Sequence, residues 1–235
     1  KFKNRISFHK VDLNNFLKTK KIINKIKPDL IFNLASYADV RKSFDYPHEF
    51  ILNNHNSTLN LLESIRKCNL KSLFIHCSTS EVYGRVSKKE IPITENQKMR
   101  PVSPYAVSKS FQDLLSQLYH QVYGLNIIIT RMFTYNNPRR LNLFQSAFAS
   151  QISKIEKGKQ KILSHGNLNS IRSFLDLNDG MEAYWATAKK GKVGEIYNIG
   201  GNRSFKVGDF LKKMIQLSKV KIKCKINKNL LRTKD

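Results

Sequence analysis

From Arg5 to Thr130, strand and helix patterns alternate with no hairpin signal between any two strands. Arg5–Phe8 reads as a short strand with Val11–Leu13 as its carboxyl end, and Leu13 to Ile26 has helical spacing that Lys27-Pro28-Asp29 breaks. Leu30–Leu34 is a short apolar run of the kind buried on both faces of a parallel sheet. A long helical stretch from Pro47 to Lys67 follows, then a strand pattern over Leu70–Cys77. A polar loop spans Gly84 to Arg100, a helix runs to Tyr123, Gly124 stops it, and Leu125–Thr130 is another β-branched strand. Strands joined only through helices pair in parallel, with helices on both faces. The predicted fold is α/β, a doubly wound parallel sheet.

From Thr134 the pattern changes to short strands, isolated helices and loops with Asn, Pro and Gly. Two domains are expected. Residues 1–133 form a partial dinucleotide-binding domain and 134–235 a smaller lobe, with about 173–199 returning to the main sheet. A doubly wound dinucleotide fold opens with a strand, a Gly-rich phosphate turn and a helix. No such turn occurs before the first helix, and Gly200-Gly201 comes too late. The expectation is a sequence lacking its first βαβ unit, and so a weak binder of dinucleotide on its own.

Composition narrows the functional class. No apolar run approaches the roughly 20 residues that span a bilayer. Cys68, Cys77 and Cys224 are odd in number and lack metal-ligand spacing, which suits a reducing cytoplasm and predicts no metal site. The net charge of +25 could serve an acidic partner. No basic run is interleaved with aromatics as a stacking platform would be, so solvated faces are the favoured reading over nucleic-acid binding. His55, His76, Tyr184 and Trp185 sit at core-like spacing and read as packing residues.

Chemistry concentrates in two segments. In Pro101-Val-Ser-Pro-Tyr-Ala-Val-Ser-Lys109, Tyr105 and Lys109 lie four apart and share a helix face. An ammonium beside a phenol favours the phenolate and lowers a pKa that is otherwise about 10, which makes a base for a sugar hydroxyl. In Cys77-Ser-Thr-Ser-Glu-Val-Tyr-Gly84, Thr79 and Glu81 at a strand end add a hydroxyl and a second proton-transfer group. The bland alternatives are an exposed helix pair, a strand-end hydroxyl satisfying backbone, and a solvated loop carboxylate. A lone Tyr-x-x-x-Lys is weak, but both segments in this order, each after an apolar strand, make a strong signal.

At these residues the chain resembles the extended short-chain dehydrogenase/reductases that modify nucleotide sugars. It is most similar to the GDP-mannose 4,6-dehydratase branch and its GDP-4-keto-6-deoxymannose reductase relative. Further support comes from Lys27-Pro-Asp-Leu-Ile-Phe-Asn-Leu-Ala-Ser36, Gly124 through Pro138-Arg139-Arg140, and His165 through Phe174. The resemblance implies an NADP cofactor, with NAD the alternative. Asp12, Leu13, Leu34 and Ala35 would meet the cofactor, and Lys109 its nicotinamide ribose. Thr79, Glu81, Tyr105 and Lys109 would be catalytic, and Asn54 matches an Asn of the family's long helix. Thr134, Arg139, Arg140, Arg172 and Arg232 would bind substrate, with Thr134 standing for the usual Asn, Ser173 for Asp and Thr233 for Pro.

The implied reaction is oxidation at carbon 4, loss of water from carbons 5 and 6, and return of the hydride. Glu81, the second base, separates dehydration from simple reduction, although uronic acid decarboxylases also carry Thr-Ser-Glu. A homodimer or homotetramer is expected, with no nucleic-acid or membrane partner.

Overall fold

The computed structural model describes residues 5–231. The chain divides into two compact units: the residues up to Arg131 with Trp185–Asn198, and Met132–Tyr184 with the residues from Ile199 onward.

The first unit follows from its capping residues and apolar runs. Helix α1 (Phe16–Ile26) starts at Asn15, whose side chain accepts the Lys18 N–H, and ends where Lys27 turns left-handed. Strand β1 (Leu30–Asn33) follows, then a short helix α2 (Val40–Asp45) capped by the Asp39 carboxylate. Helix α3 (Pro47–Lys67) has proline in its first turn, where no intrahelical donor is lost. After strand β2 (Leu73–Thr79), helix α4 (Pro104–Tyr123) is capped by Ser103, opened by Pro104 and stopped by Gly124 at φ 67°. Strand β3 (Ile127–Met132) completes this run.

The main sheet has the order β1-β2-β3-β7, where β7 is Ile196–Ile199. β1 and β2 are parallel, with Leu30 opposite Leu73 and Asn33 opposite His76. Ile23, Leu61, Leu62, Ile65, Phe74, Tyr119, Ile127 and Ile129 form one buried cluster between this sheet and α1, α3 and α4. Each such aliphatic side chain contributes roughly 1.5–3 kcal/mol on burial.

The α/β sheet agrees with the sequence reading, and three details differ. Residues 6–12 form no strand. Among the described residues nothing lies beside β1 on its outer side to pair with them. Helix α2 was not anticipated, because six residues with two basic side chains and a serine show no apolar period. Trp185, expected in a core, is 51% exposed, with the Lys189 ammonium 5.1 Å from its ring centroid.

The interface of α3 with α4 is lined by small and polar groups. Asn54 Nδ2 donates to Ser108 Oγ at 2.8 Å, and Gln112 Nε2 donates to the Asn54 carbonyl at 2.7 Å and to Thr58 Oγ1 at 2.6 Å. Asn33 Nδ2 donates to the same Thr58 oxygen at 2.9 Å. Asn54 also closes a pair of bonds with the backbone of Tyr37, accepting its N–H at 2.7 Å. This chain of bonds locks the loop after β1 to α3 and, through Ser108, to α4.

In the second unit, β4 (Thr134–Tyr135), β6 (Ile171–Leu175) and β8 (Ser204–Lys206) form one sheet, and β5 (Ile162–His165) pairs in parallel with β9 (Lys223–Ile226). Helices α5 (Phe144–Glu156) and α7 (Val207–Gln216) bring Phe148, Ile152, Val207 and Leu211 onto Leu163 as a separate core. Helix α6 (Leu177–Lys190) follows β6 in the chain. No described helix is long and apolar enough to cross a membrane.

Gly84 ends the turn that follows β2. Its φ is +64°, and a Cβ there would stand 1.8 Å from the Arg100 carbonyl oxygen. Arg100 N–H bonds Val82 O at 2.9 Å, so that carbonyl belongs to a fixed crossing of the 84–100 loop. Gly84→Ala is therefore expected to cost about 3 kcal/mol, read as a lower midpoint of urea unfolding at unchanged slope.

Candidate active site

The centre of the site is a buried cation. Lys109 lies on the inner face of α4, is 3% exposed, and donates from Nζ to the Cys77 carbonyl at 2.7 Å. Cys77 is two residues before Thr79, the last residue of β2. One hydrogen bond thus fastens the Tyr105–Lys109 helix to the strand that delivers Thr79 and Glu81. An ammonium has three donors, so this bond leaves two N–H groups for other acceptors.

Tyr105 sits in the first turn of α4, half-buried, one helical turn before Lys109. Its carbonyl accepts from Ser108 Oγ at 2.8 Å, and Ser108 in turn accepts from Asn54. Thr79 and Glu81 meet at a short 3-10 turn, Ser80–Tyr83, where the Glu81 N–H bonds Thr79 Oγ1 at 3.3 Å. That turn-capping bond is the ordinary role of a strand-end hydroxyl, and it fixes the Thr79 side chain beside the Glu81 backbone. The sequence-predicted pairs therefore converge on the carboxyl end of β2.

Burial pulls the Lys109 ammonium down to about 8, while Cys77 and Asp113 oppose the shift. His76, wholly buried on β2, is held well below its usual value by burial and by the cations Lys109 and Arg131. It is thus neutral near pH 7, and both ring nitrogens lack a hydrogen-bond partner among the described residues.

A cleft of ≈ 240 Å³ lies near the amino end of the described chain. Its walls include Asp12, Leu13 and Ala35, three of the residues expected to face a cofactor, with Asn14, Ser36, Tyr37, Asn53 and Ser57. The Asp12 carboxylate accepts from Asn14 N at 2.9 Å and from Asn14 Nδ2 at 3.1 Å. Leu34 is 68% exposed. The small side chains Ala35, Ser36 and Ser57 with one carboxylate acceptor suit a planar base bearing an amino group.

The expected substrate residues belong to the second unit. Thr134 on β4 pairs with Phe174 on β6, while Arg172 on β6 stands opposite Phe205 on β8. Strand alternation puts Thr134, Arg172 and Phe205 on one face of that sheet. Ser173, on the other face, donates to the Gly201 carbonyl at 2.8 Å. Arg139 and Arg140 follow Asn137 in a turn, their N–H groups bonded to Asn137 Oδ1 and Asn137 O. Arg232 lies outside the described residues.

Two site neighbours escaped the sequence reading. Arg131 is 2% exposed inside the apolar strand β3, and Asp113 on α4 is fully buried. The signal was present: an arginine within Ile127-Ile-Ile-Thr-Arg-Met132 is rarely buried unless paired, and Asp113 is one turn beyond Lys109.

Lys109 yields a pH prediction. Its folded pKa lies below the ordinary 10.5, so between about pH 8 and 10 the unfolded chain binds more protons and stability rises with pH. The stability is lost as pH falls through the folded value. The chain should gain stability over this window relative to Lys109→Met, whose unfolding curves should move less between the two pH values.

The family model described as GDP-mannose 4,6 dehydratase matches residues 1–234. A dTDP-glucose 4,6-dehydratase of Haemophilus influenzae is 33% identical over 223 residues, 91% of this chain and 64% of that protein. A GDP-6-deoxy-D-mannose reductase of Pseudomonas aeruginosa is 28% identical over 197 residues, 83% of this chain and 65% of that protein. The chain therefore spans somewhat under two thirds of the length of these relatives. Among solved structures, RMD from Pseudomonas aeruginosa complexed with NADPH superposes with a TM-score of 0.87 at 25% identity, covering 95% of this chain and 75% of that one. The Rossmann-like sheet and the match over nearly the whole sequence lead to one assignment: the chain belongs to the GDP-mannose 4,6-dehydratase family of nucleotide-sugar-modifying short-chain dehydrogenase/reductases.

Proposed function

We propose that the chain carries the proton-transfer machinery of a cytoplasmic nucleotide-sugar 4,6-dehydratase that acts on GDP-mannose with NADP, or NAD in its place. The observation that carries this reading is the Lys109–Cys77 bond, which brings Tyr105 and Lys109 to the strand end bearing Thr79 and Glu81. In the proposed reaction Thr79 holds the sugar oxygen at carbon 4, and Tyr105, kept acidic by the Lys109 charge, accepts the hydroxyl proton. A bound nicotinamide would supply the reversible hydride acceptor that oxidation at carbon 4 and reduction at carbon 6 require. Glu81 removes the proton at carbon 5, acidified by the neighbouring ketone, and water leaves from carbon 6. Asp12, Leu13 and Ala35 frame the adenine, and the sheet bearing Thr134 and Arg172, with Arg139 and Arg140, takes the sugar nucleotide. Guanidinium forks suit its diphosphate.

A second reading, reduction of GDP-4-keto-6-deoxymannose, is favoured by the likeness to the Pseudomonas aeruginosa reductase. Product analysis separates the two, because dehydration consumes no net cofactor. With GDP-mannose or dTDP-glucose as substrate, loss of water is read by mass. Tyr105→Phe should lower turnover at least ~1,000-fold with sugar-nucleotide binding retained; near-parental turnover would exclude the tyrosine. Glu81→Gln should block dehydration after oxidation, whereas a reductase would keep substantial activity.

The chain is further proposed to self-associate as a homodimer through α4. Val107, Phe111, Leu114, Leu118 and Val122 form an exposed apolar stripe along it, and His55 of α3 stacks on Phe111 at 3.6 Å. Replacing Leu114 and Leu118 by lysine should shift the sedimentation coefficient to that of a monomer; a monomeric parent would exclude this interface.

A further inference from the structure

The buried ion pair of Arg131 and Asp113 has no part in the proton transfers proposed above, yet it touches both elements that perform them. Arg131 Nε donates to Asp113 Oδ2 at 2.9 Å and Nη2 to Asp113 Oδ1 at 3.1 Å, a bidentate fork on α4 one turn beyond Lys109. Its Nη1 donates to the Tyr83 hydroxyl at 3.0 Å and to the Glu95 carbonyl at 2.9 Å. Tyr83 closes the 3-10 turn that carries Glu81.

The contacts form a ring. The Tyr83 hydroxyl, accepting from Arg131, donates to Asn198 Oδ1 at 2.7 Å. The Asn198 N–H donates to Glu95 Oε1 at 2.7 Å, and the Glu95 carbonyl returns to Arg131. Tyr83 has no exposed surface, and burial pushes its phenol up, so it remains a neutral donor. The guanidinium carbon also lies 5.1 Å from the Tyr83 ring centroid.

We propose that Arg131 is a positioning residue for the site, a clamp that holds the Glu81 turn, through Tyr83, in fixed register with the Tyr105–Lys109 helix, through Asp113. This rests on the active-site reading only for its catalytic consequence; the mechanical coupling stands on the geometry alone. Deleting one partner of a buried pair leaves the other charge unpaired and is severely destabilising. Arg131→Ala alone would thus report on folding rather than on the clamp. Two gentler changes isolate the linkage. Tyr83→Phe keeps the ion pair and removes only the phenol bonds. Arg131→Met combined with Asp113→Leu removes both charges together.

Amide hydrogen exchange on the chain is the primary test. At Glu81, Gly84 and Arg100, whose N–H groups fasten this turn, exchange should quicken about tenfold in Tyr83→Phe, as expected for losing the phenol's two bonds to Arg131 and Asn198. The double variant should quicken these amides and those of the first turn of α4, with circular dichroism unchanged. Exchange within twofold of the parent in both variants, both remaining folded, overturns the clamp. The activity arm then asks for a split: about tenfold lower kcat with KM held within twofold in Tyr83→Phe. A fall in kcat confirms the catalytic consequence, whereas parental kcat with quickened exchange overturns it and leaves the coupling standing. A parent that binds the dinucleotide yet dehydrates no nucleotide sugar defeats the dehydratase reading, while the exchange arm still decides the clamp.

Discussion

A lysine ammonium with 3% of its surface exposed must be satisfied by fixed acceptors, and much of the first unit is arranged around that requirement. The Cys77 carbonyl supplies one acceptor, two residues before β2 ends. Burial alone would drive Lys109 to its neutral form, and a pKa held at about 8 keeps the ammonium largely charged near neutral pH. A charged Lys109 one turn from Tyr105 is what the proposed proton transfer requires. The depth of burial that weakens the ammonium also removes the solvent that would screen its effect.

Anions are scarce in this chain, which carries 42 Lys plus Arg against 17 Asp plus Glu. Among the described residues the Arg131–Asp113 pair is the one ion pair with both partners buried; the others have a partly or largely exposed cation. Such exposed pairs are worth about 0–1 kcal/mol. A buried carboxylate is expensive unless its partner forks onto it and the remaining donors are used, and every donor direction of the Arg131 Nη1 group finds a carbonyl or hydroxyl. Next to it, the Asn33–Thr58–Gln112–Asn54–Ser108 chain is made wholly of neutral groups. Neutral bonds of about 1 kcal/mol each cost little to bury when they are made together, and the Gln112 Oε1 is the member of this chain left buried without a partner among the described residues.

What could be read from the sequence was governed by local rules. Pro47 and Pro104 at helix starts, Gly124 at a helix end and the apolar run Leu30–Asn33 each state their structure within a few residues. Tyr105 and Lys109 were legible because four-residue spacing defines a helix face. Pairings that depend on distant partners were hidden. Nothing local distinguishes β9 as the partner of β5, whose residues are some sixty positions away, and Lys223-Cys-Lys-Ile226 is exposed throughout. Trp185 read as core because helical spacing identifies a stripe, not whether another element covers it. Arg131 was passed over because its strand pattern is apolar on either side, and only tertiary structure reveals the carboxylate waiting one element away.

The residues proposed for proton transfer and those proposed for substrate binding lie in different units, and the division has a chemical logic. Under the proposed mechanism, proton transfer at one hydroxyl demands both the pKa and the reach of Tyr105 and Lys109. Recognition of a sugar and its base is distributed over several contacts, each worth a modest share of the affinity. Thr134 and Ser173 both lie in the second unit. Ser173 has turned its hydroxyl to the Gly201 carbonyl, a structural bond within its own sheet edge. Arg172 on the opposite face keeps its guanidinium on a strand flanked by Phe174 and Phe205. The sheet thus presents Thr134 and Arg172 on one face and commits Ser173 to packing on the other.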